Sequence, residues 1–244
     1  FDEETRRELA GLTDEKEIED RFYRDLAFGT GGMRGMMGAG ANRMNVYTVR
    51  KATAGLAACL LDGGAAEAAA RGVAIACDTR HNSALFARAA AQTFAQAGIP
   101  ALLFDRPVPT PALSFAVRRL GCAAGVVITA SHNPKEYNGY KVYDREGCQA
   151  TPPLAARITR FVERTPVTGT RVMDEAEARE KGLIRTVGGD VLDAFCAAVL
   201  AQAHPLPEAD KRALKIVYTP LHGTGKAPVL AVLRSPRATD SSGF

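Results

Sequence analysis

Residues 125–141 read GVVITASHNPKEYNGYK. The opening GVVIT is an apolar run of strand length, too continuous to alternate, as expected of a strand that sits centrally in a sheet with helices on both faces. The polar turn that follows places Ser131 at the carboxyl end of this strand, with His132, Lys135 and Lys141 as three potential cations close by. Similar apolar runs recur at Val73 to Cys77, Ile99 to Phe104, Tyr140 to Tyr143 and Lys215 to Thr219. Between them lie helical patterns. Val46, Val49, Leu56 and Leu60 share one helical face, and Leu85, Ala89, Phe94 and Ala97 share another, opened by an Asn82/Ser83 cap signal and closed by Gly98.

Strand and helix in alternation predict an α/β fold: a three-layer α/β/α domain with a mixed, largely parallel sheet. Thr151-Pro152-Pro153 opens a further helix, Leu154 to Glu163, and the charged DEAEAREKG that comes later reads as a bridge to a new unit. A boundary is therefore expected near residue 185, with 1–185 as the first domain and 186–244 as the incomplete start of a second, similar one. In that start, Gly189 to Gln202 reads as a helix and LKIVYT as a first strand. About 60 residues bury too small a fraction of their surface to close such a layer alone. The chain opens on Phe1, and RSPRATDSSGF at its end has no periodic apolar pattern, so both ends are read as those of an incomplete chain.

Composition narrows the function. Over 244 residues, 46% hydrophobic and 24% charged is the balance of a globular protein, and 31 basic against 27 acidic residues leave a formal charge of +4 with no basic block. Nucleic acid is not expected as a partner; a small anionic ligand accounts for the mild excess. No apolar stretch is long enough for a membrane span, and the charged N-terminal residues are unlike a signal peptide. Cys59, Cys77, Cys122, Cys148 and Cys196 are odd in number and form no CxxC pair, which points to reduced thiols and a cytoplasmic location.

Three glycine-rich or polar segments are candidates for chemistry. FGTGGMRG, residues 28–35, sets Arg34 among glycines that let the backbone approach a ligand. It is not a dinucleotide fingerprint, since Arg34 replaces a required glycine and a helix, not a strand, precedes it; a turn with a solvated arginine is the plain alternative. TASHNPKEYNGYK, residues 129–141, surrounds the Ser131 hydroxyl with positive charge, a setting for a phosphoryl group. Neighbouring Ser131 and His132 point apart in extended backbone and no GxSxG elbow exists, so acyl transfer is disfavoured; a turn-capping serine among surface lysines is the alternative reading. TPLHGTGK, residues 219–226, ends like a P-loop, but Pro220 and Ala227 break that pattern, leaving His222 as a ligand contact or a turn-packing residue. Asp78-Thr79-Arg80, after VAIAC, is a fourth candidate, with Asp78 as an acceptor or Arg80 as an orienting group. His81 and His204 read as surface residues.

FGTGGMRG, GANRMNVYTVRKAT, CDTRHNS, TASHNPKEYNGYK and YTPLHGTG, in this order, resemble the α-D-phosphohexomutase superfamily, and most of all its phosphoglucomutase and phosphopentomutase branch, from about residue 20 to about 233. The resemblance implies a phosphosugar mutase of four domains that interconverts sugar 1-phosphates with 6-phosphates, or 5-phosphates for pentoses, through a phosphoserine and a bisphosphate intermediate. By the same resemblance Ser131 is that serine, His132 and Lys141 lie beside it with Lys141 in proton transfer or charge stabilisation, and Arg34 reaches the phosphate. It also implies Mg²⁺, with a phosphoserine oxygen at Ser131 as one ligand, a sugar bisphosphate as activator and a phosphosugar as substrate. The aspartate loop of DxDxD character that completes the family's metal site does not occur in the sequence, and the family pattern stops at Arg234. This chain is therefore expected to be an inactive fragment that binds Mg²⁺ weakly. The competing expectation is a noncatalytic phosphosugar-binding module.

Overall fold

The computed structural model describes residues 1–204 and 207–235. The chain runs α1 (Glu3–Ala10), α2 (Glu15–Phe22), β1 (Gly32–Met36), α3 (Val46–Arg71), β2 (Val73–Cys77), α4 (Ser83–Gln96), β3 (Ala101–Phe104), α5 (Thr110–Arg119), β4 (Ala124–Ile128), β5 (Tyr137–Tyr143), α6 (Pro152–Arg164), α7 (Glu175–Glu180), β6 (Ile184–Val187), α8 (Gly189–Leu200), α9 (Glu208–Ala213) and α10 (Lys226–Leu233).

One six-stranded sheet, ordered β1-β5-β4-β2-β3-β6, forms the middle layer. β4, β2, β3 and β6 run parallel, and β5 reverses the direction, pairing antiparallel with both β4 and β1. The two faces of each central strand serve different cores, as period-two alternation requires. Val73, Ile75, Val126 and Ile128 bury against α3, α4 and α6 through Leu56, Phe94 and Ile158. Ala74, Ala76 and Val127 bury against α5 and α8 through Leu113, Val117 and Val191. Every residue of β2 and β4 is buried, which is why neither strand alternates in sequence.

The α/β/α architecture with a mixed sheet matches the expectation from sequence, and the central place of GVVIT follows from its continuous apolar character. Four local expectations are corrected. FGTGGMRG is not wholly a loop: Gly32 to Met36 pairs along β5, with Arg34 opposite Gly139. Asn82 does not cap α4 through its side chain; it adopts a left-handed φ of 61°, and the Ser83 hydroxyl turns instead to Asp78. DEAEAREKG does not bridge two units. Asp174 accepts from the backbone N–H groups of Ala176 and Glu177 to start α7, and the chain then enters β6, which pairs with β3. The division at 185 therefore falls inside a strand of the first sheet, and α8 continues the outer layer by packing on α5, with Phe115 and Phe195 edge to face at 5.8 Å.

LKIVYT is the fourth. Residues 214–219 form no strand, and Val217 is 99% exposed. A strand needs a neighbour to satisfy its N–H and C=O groups, and none flanks this segment among the described residues. Most of the sequence's terminal polar run, residues 236–244, lies outside the described residues.

Charge, not burial, attaches the first two helices. Neither α1 nor α2 contains a buried residue; Arg21 of α2 pairs with Glu8 of α1 at 2.5 Å, and Arg43 pairs with Asp20 of α2 at 2.5 Å.

Gly139 of β5 lies between β1 and the residue that follows β4. A Cβ there would lie 2.5 Å from the Thr129 carbonyl oxygen and 3.0 Å from that of Met33, both backbone atoms that cannot swing away. Gly139→Ala should lower stability by about 1–3 kcal/mol, the usual cost of overpacking, measured as a shift of the urea midpoint. An unchanged midpoint would show that the strands can part at no cost.

Candidate functional site

The site forms where β2 and β4 end side by side, the position at which open α/β sheets leave a crevice for ligands. Cys77 of β2 is in register with Ile128 of β4, so the next residues, Asp78 and Thr129, leave the sheet together. The Asp78 carboxylate organises both exits. Its Oδ2 accepts the Thr129 hydroxyl at 2.6 Å, and its Oδ1 accepts the Ser83 hydroxyl at 2.7 Å and the Arg80 backbone N–H at 3.0 Å. Thr129 Oγ1 in turn accepts the Ser131 backbone N–H at 2.9 Å. Below this, the buried Asn138 amide donates to Ser83 Oγ and the His81 carbonyl, both at 3.0 Å.

Ser131 sits exposed at the tip of this scaffold with φ of 56°. A left-handed conformation is uncommon for a residue with a Cβ and marks a turn held by its surroundings. The Arg80 guanidinium lies beneath the loop, donating to four of its backbone carbonyls, those of Ser131, Asn133, Pro134 and Tyr137, at 2.5–3.1 Å.

A cleft of about 810 Å³ opens over Ser131. His132 and Lys135 line it from the serine loop, His81 from the other side, and His222 from the segment before α10. The Thr79 hydroxyl donates to the His222 carbonyl at 2.9 Å, joining that segment to the cleft.

Arg34 and Lys141 stand beside the cleft on β1 and β5. Arg34 Nη1 donates to Asn133 Oδ1 at 2.7 Å, two residues from Ser131 in sequence. Lys141 pairs with Val127 on β4 and with Gly32 on β1, so its side chain shares the sheet face that Val127 and Arg34 occupy. Burial, and secondarily the Arg34 charge, pull its pKa below the ordinary lysine value, with Asp78 opposing them. An amine so tuned gives up its proton more readily than a solvated one.

The four residues singled out by sequence thus meet around one loop: Ser131 and His132 on it, Arg34 hydrogen-bonded to it, and Lys141 beside Arg34. Asp78 and Arg80, left open in sequence, are the loop's supports. His81, read as a surface residue, lines the cleft, while His204 has no place in it. Thr129 and Asn138 were missed; the only signal was their position flanking the serine, and nothing in sequence says that a threonine hydroxyl will be shared between Asp78 and a backbone N–H.

No cluster of three or more His, Cys, Asp or Glu side chains that could hold a metal ion occurs among the described residues. Among the described residues Asp78 is the one carboxylate at the cleft, and it is already engaged by Thr129, Ser83 and Arg80. The described residues therefore do not by themselves provide a magnesium site. No helix among them is long and apolar enough to cross a membrane, and all five cysteines are free, with Cys148 exposed and the others buried.

An α/β/α domain that presents a serine hydroxyl and a group of cations at the carboxyl edge of its sheet is built to meet an anionic ligand. Residues 25–167 match the family described as phosphoglucomutase/phosphomannomutase, alpha/beta/alpha domain I, and the chain belongs to this family of phosphosugar mutases. It is 38% identical over 242 residues to a probable phosphoribomutase of Schizosaccharomyces pombe, covering 95% of this chain and 40% of that protein. It is 37% identical over 220 residues to a phosphoglucomutase of Staphylococcus epidermidis, covering 90% of this chain and 39% of that one. Among solved structures, a putative phosphomannomutase from Thermus thermophilus superposes with a TM-score of 0.70 at 30% identity, over 86% of this chain and 43% of the other. The chain thus spans about 40% of the length of the curated relatives it matches.

Because Arg34 is a secondary cause of the lowered Lys141 pKa and burial is the larger one, Arg34→Ala should raise that pKa but leave it below the ordinary lysine value. Following the dimethylated amine of Lys141 by carbon NMR over an alkaline titration checks this; a midpoint that stays put or falls would mean that the two cations do not sense each other.

Proposed function

We propose that this chain is the serine-bearing first domain of a phosphosugar mutase and that Ser131 is the phosphoryl carrier. The observation that carries the reading is the Ser131 hydroxyl itself, exposed at the end of a buried strand, on a loop whose tip holds His132 and Lys135 and whose flank is hydrogen-bonded by Arg34. In the complete enzyme the phosphorylated serine passes its phosphoryl group to a free hydroxyl of a sugar monophosphate. The bond from phosphorus to Ser131 Oγ breaks, a bond to the sugar oxygen forms, and the proton given up by the sugar hydroxyl ends on Ser131 Oγ. The bisphosphate then turns over, and its other phosphate returns to Ser131. Such transfer demands little covalent chemistry of the protein, so positioning and charge do most of the catalysis. Arg34, His132 and Lys135 stabilise the phosphate oxygens, and Lys141, with its lowered pKa, moves the proton.

The relatives are named a probable phosphoribomutase, a phosphoglucomutase and a putative phosphomannomutase, and the proposed substrate is a phosphosugar. A sugar bisphosphate is the proposed activator and Mg²⁺ the proposed metal. A phosphate on Ser131 would offer it one oxygen, and the described residues bring no carboxylate cluster to complete its coordination. For that reason this piece alone is proposed to have little or no net turnover. The cytoplasm is the proposed location.

Incubating the chain with glucose 1,6-bisphosphate should add one phosphoryl group, found on Ser131 by intact-mass and peptide analysis. Ser131→Ala should abolish the addition while leaving the melting temperature nearly unchanged, since an exposed hydroxyl contributes little stability. Binding of the bisphosphate without any labelling would favour a noncatalytic phosphosugar-binding module instead.

A further inference from the structure

We propose that Arg80 is a positioning residue: its guanidinium, saturated by the carbonyls of the serine loop, fixes where the Ser131 hydroxyl is presented and takes no phosphate itself. The inference rests on the reading of Ser131 as the phosphoryl carrier and assigns the loop's support to a residue that lines the cleft with its donors already engaged.

Arg80 and Arg34 both approach the serine loop, and their donors are spent differently. A guanidinium carries five N–H donors in a planar fork. In Arg80, Nη1 donates to the Pro134 carbonyl at 2.8 Å and the Tyr137 carbonyl at 3.1 Å, and Nη2 to the Ser131 carbonyl at 2.6 Å and the Asn133 carbonyl at 2.5 Å. The fifth donor site, Nε, faces Asp78 Oδ2 at 3.5 Å, and the side chain is only 14% exposed. No donor is left for a ligand. Arg34 is exposed and donates to a neutral side-chain amide, Asn133 Oδ1, a partner that a phosphate oxygen can displace because the charge-assisted bond is stronger.

The loop needs such a support. Ser131 is held at φ of 56°, a left-handed conformation that is unfavourable for a residue with a Cβ. Four carbonyl oxygens converge beneath the tip, and their dipoles repel unless a cation sits among them. Arg80 supplies the cation and reaches all four oxygens because its fork is flat and rigid. Lysine keeps the charge but gathers three donors at one point, so it cannot satisfy four separated carbonyls. Asp78 aims the fork, since it accepts the Arg80 backbone N–H and faces Nε while also anchoring Thr129. The same two residues therefore set both ends of the turn.

Arg80→Lys separates positioning from charge. With the chain as it is, Ser131 labelling by glucose 1,6-bisphosphate is measured against bisphosphate concentration, and deuterium uptake is followed for residues 129–137. The variant should keep its far-UV circular dichroism, lose on the order of tenfold in maximal labelling rate, hold its half-saturating concentration within about threefold of the parent, and take up deuterium faster in the serine loop but not in β2 or β3. A half-saturating concentration that rises alone would make Arg80 a phosphate ligand and overturn the proposal. Unchanged loop exchange overturns it as well, whether or not labelling slows. If the parent chain is never labelled, the phosphoryl-carrier reading is what fails, and the exchange measurement still decides the role of Arg80 in holding the loop.

Discussion

The Asp78 carboxylate is the junction on which the site's geometry depends. Standing one residue past β2, it accepts hydrogen bonds from the start of α4 through Ser83, from the residue after β4 through Thr129, and from the backbone of Arg80. Three elements that meet at the edge of the sheet are thereby locked to one side chain. An acidic residue there, in place of an apolar one, lets two hydroxyls and a backbone N–H be satisfied where the strands end and ladder hydrogen bonding stops. The sheet supplies rigidity, and this carboxylate transmits it to the loops.

The layered architecture was legible because the central strands are buried on both sides. VAIAC and GVVI carry no charged or hydroxyl-bearing residue to suggest a solvent face, and the helices between them show clear apolar stripes. The outer parts were harder to read. β1 lies in a glycine-rich stretch whose strand character comes from pairing with β5, a long-range contact that local propensity does not encode. β6 is four residues long with a buried residue only at each end, too little pattern to register. In the opposite direction, LKIVYT has ideal strand composition and no strand, because composition creates a preference and only a neighbour satisfies it.

For the site, the residues whose chemistry is unusual in context were readable: a serine after a buried strand, an arginine among glycines, lysines nearby. The residues that hold them were readable only in part: Asp78 and Arg80 stand as open candidates in sequence, and Thr129 and Asn138 do not stand out. Thr129, Asn138 and Asp78 act through hydrogen bonds to groups roughly 50 residues away in sequence, and a hydroxyl or amide of that kind looks the same in sequence whether it faces water or ties two loops together. His81 was misjudged for a related reason: a histidine after Asp-Thr-Arg carries no periodic signal, and its place on the cleft wall follows from where the loop turns.

Arg80 grips the serine loop by backbone oxygens, which every amino acid possesses in the same place. The identities of the tip side chains are thus uncoupled from the trajectory of the chain that bears them. His132 and Lys135 project outward from a path whose shape does not depend on what they are, so mutation at these two positions is free to retune the charge offered to a ligand without relocating the hydroxyl beside them. A lineage can diversify along that rim while the Ser131 hydroxyl stays where it was, an evolutionary latitude that a loop held by interlocking side chains would not enjoy.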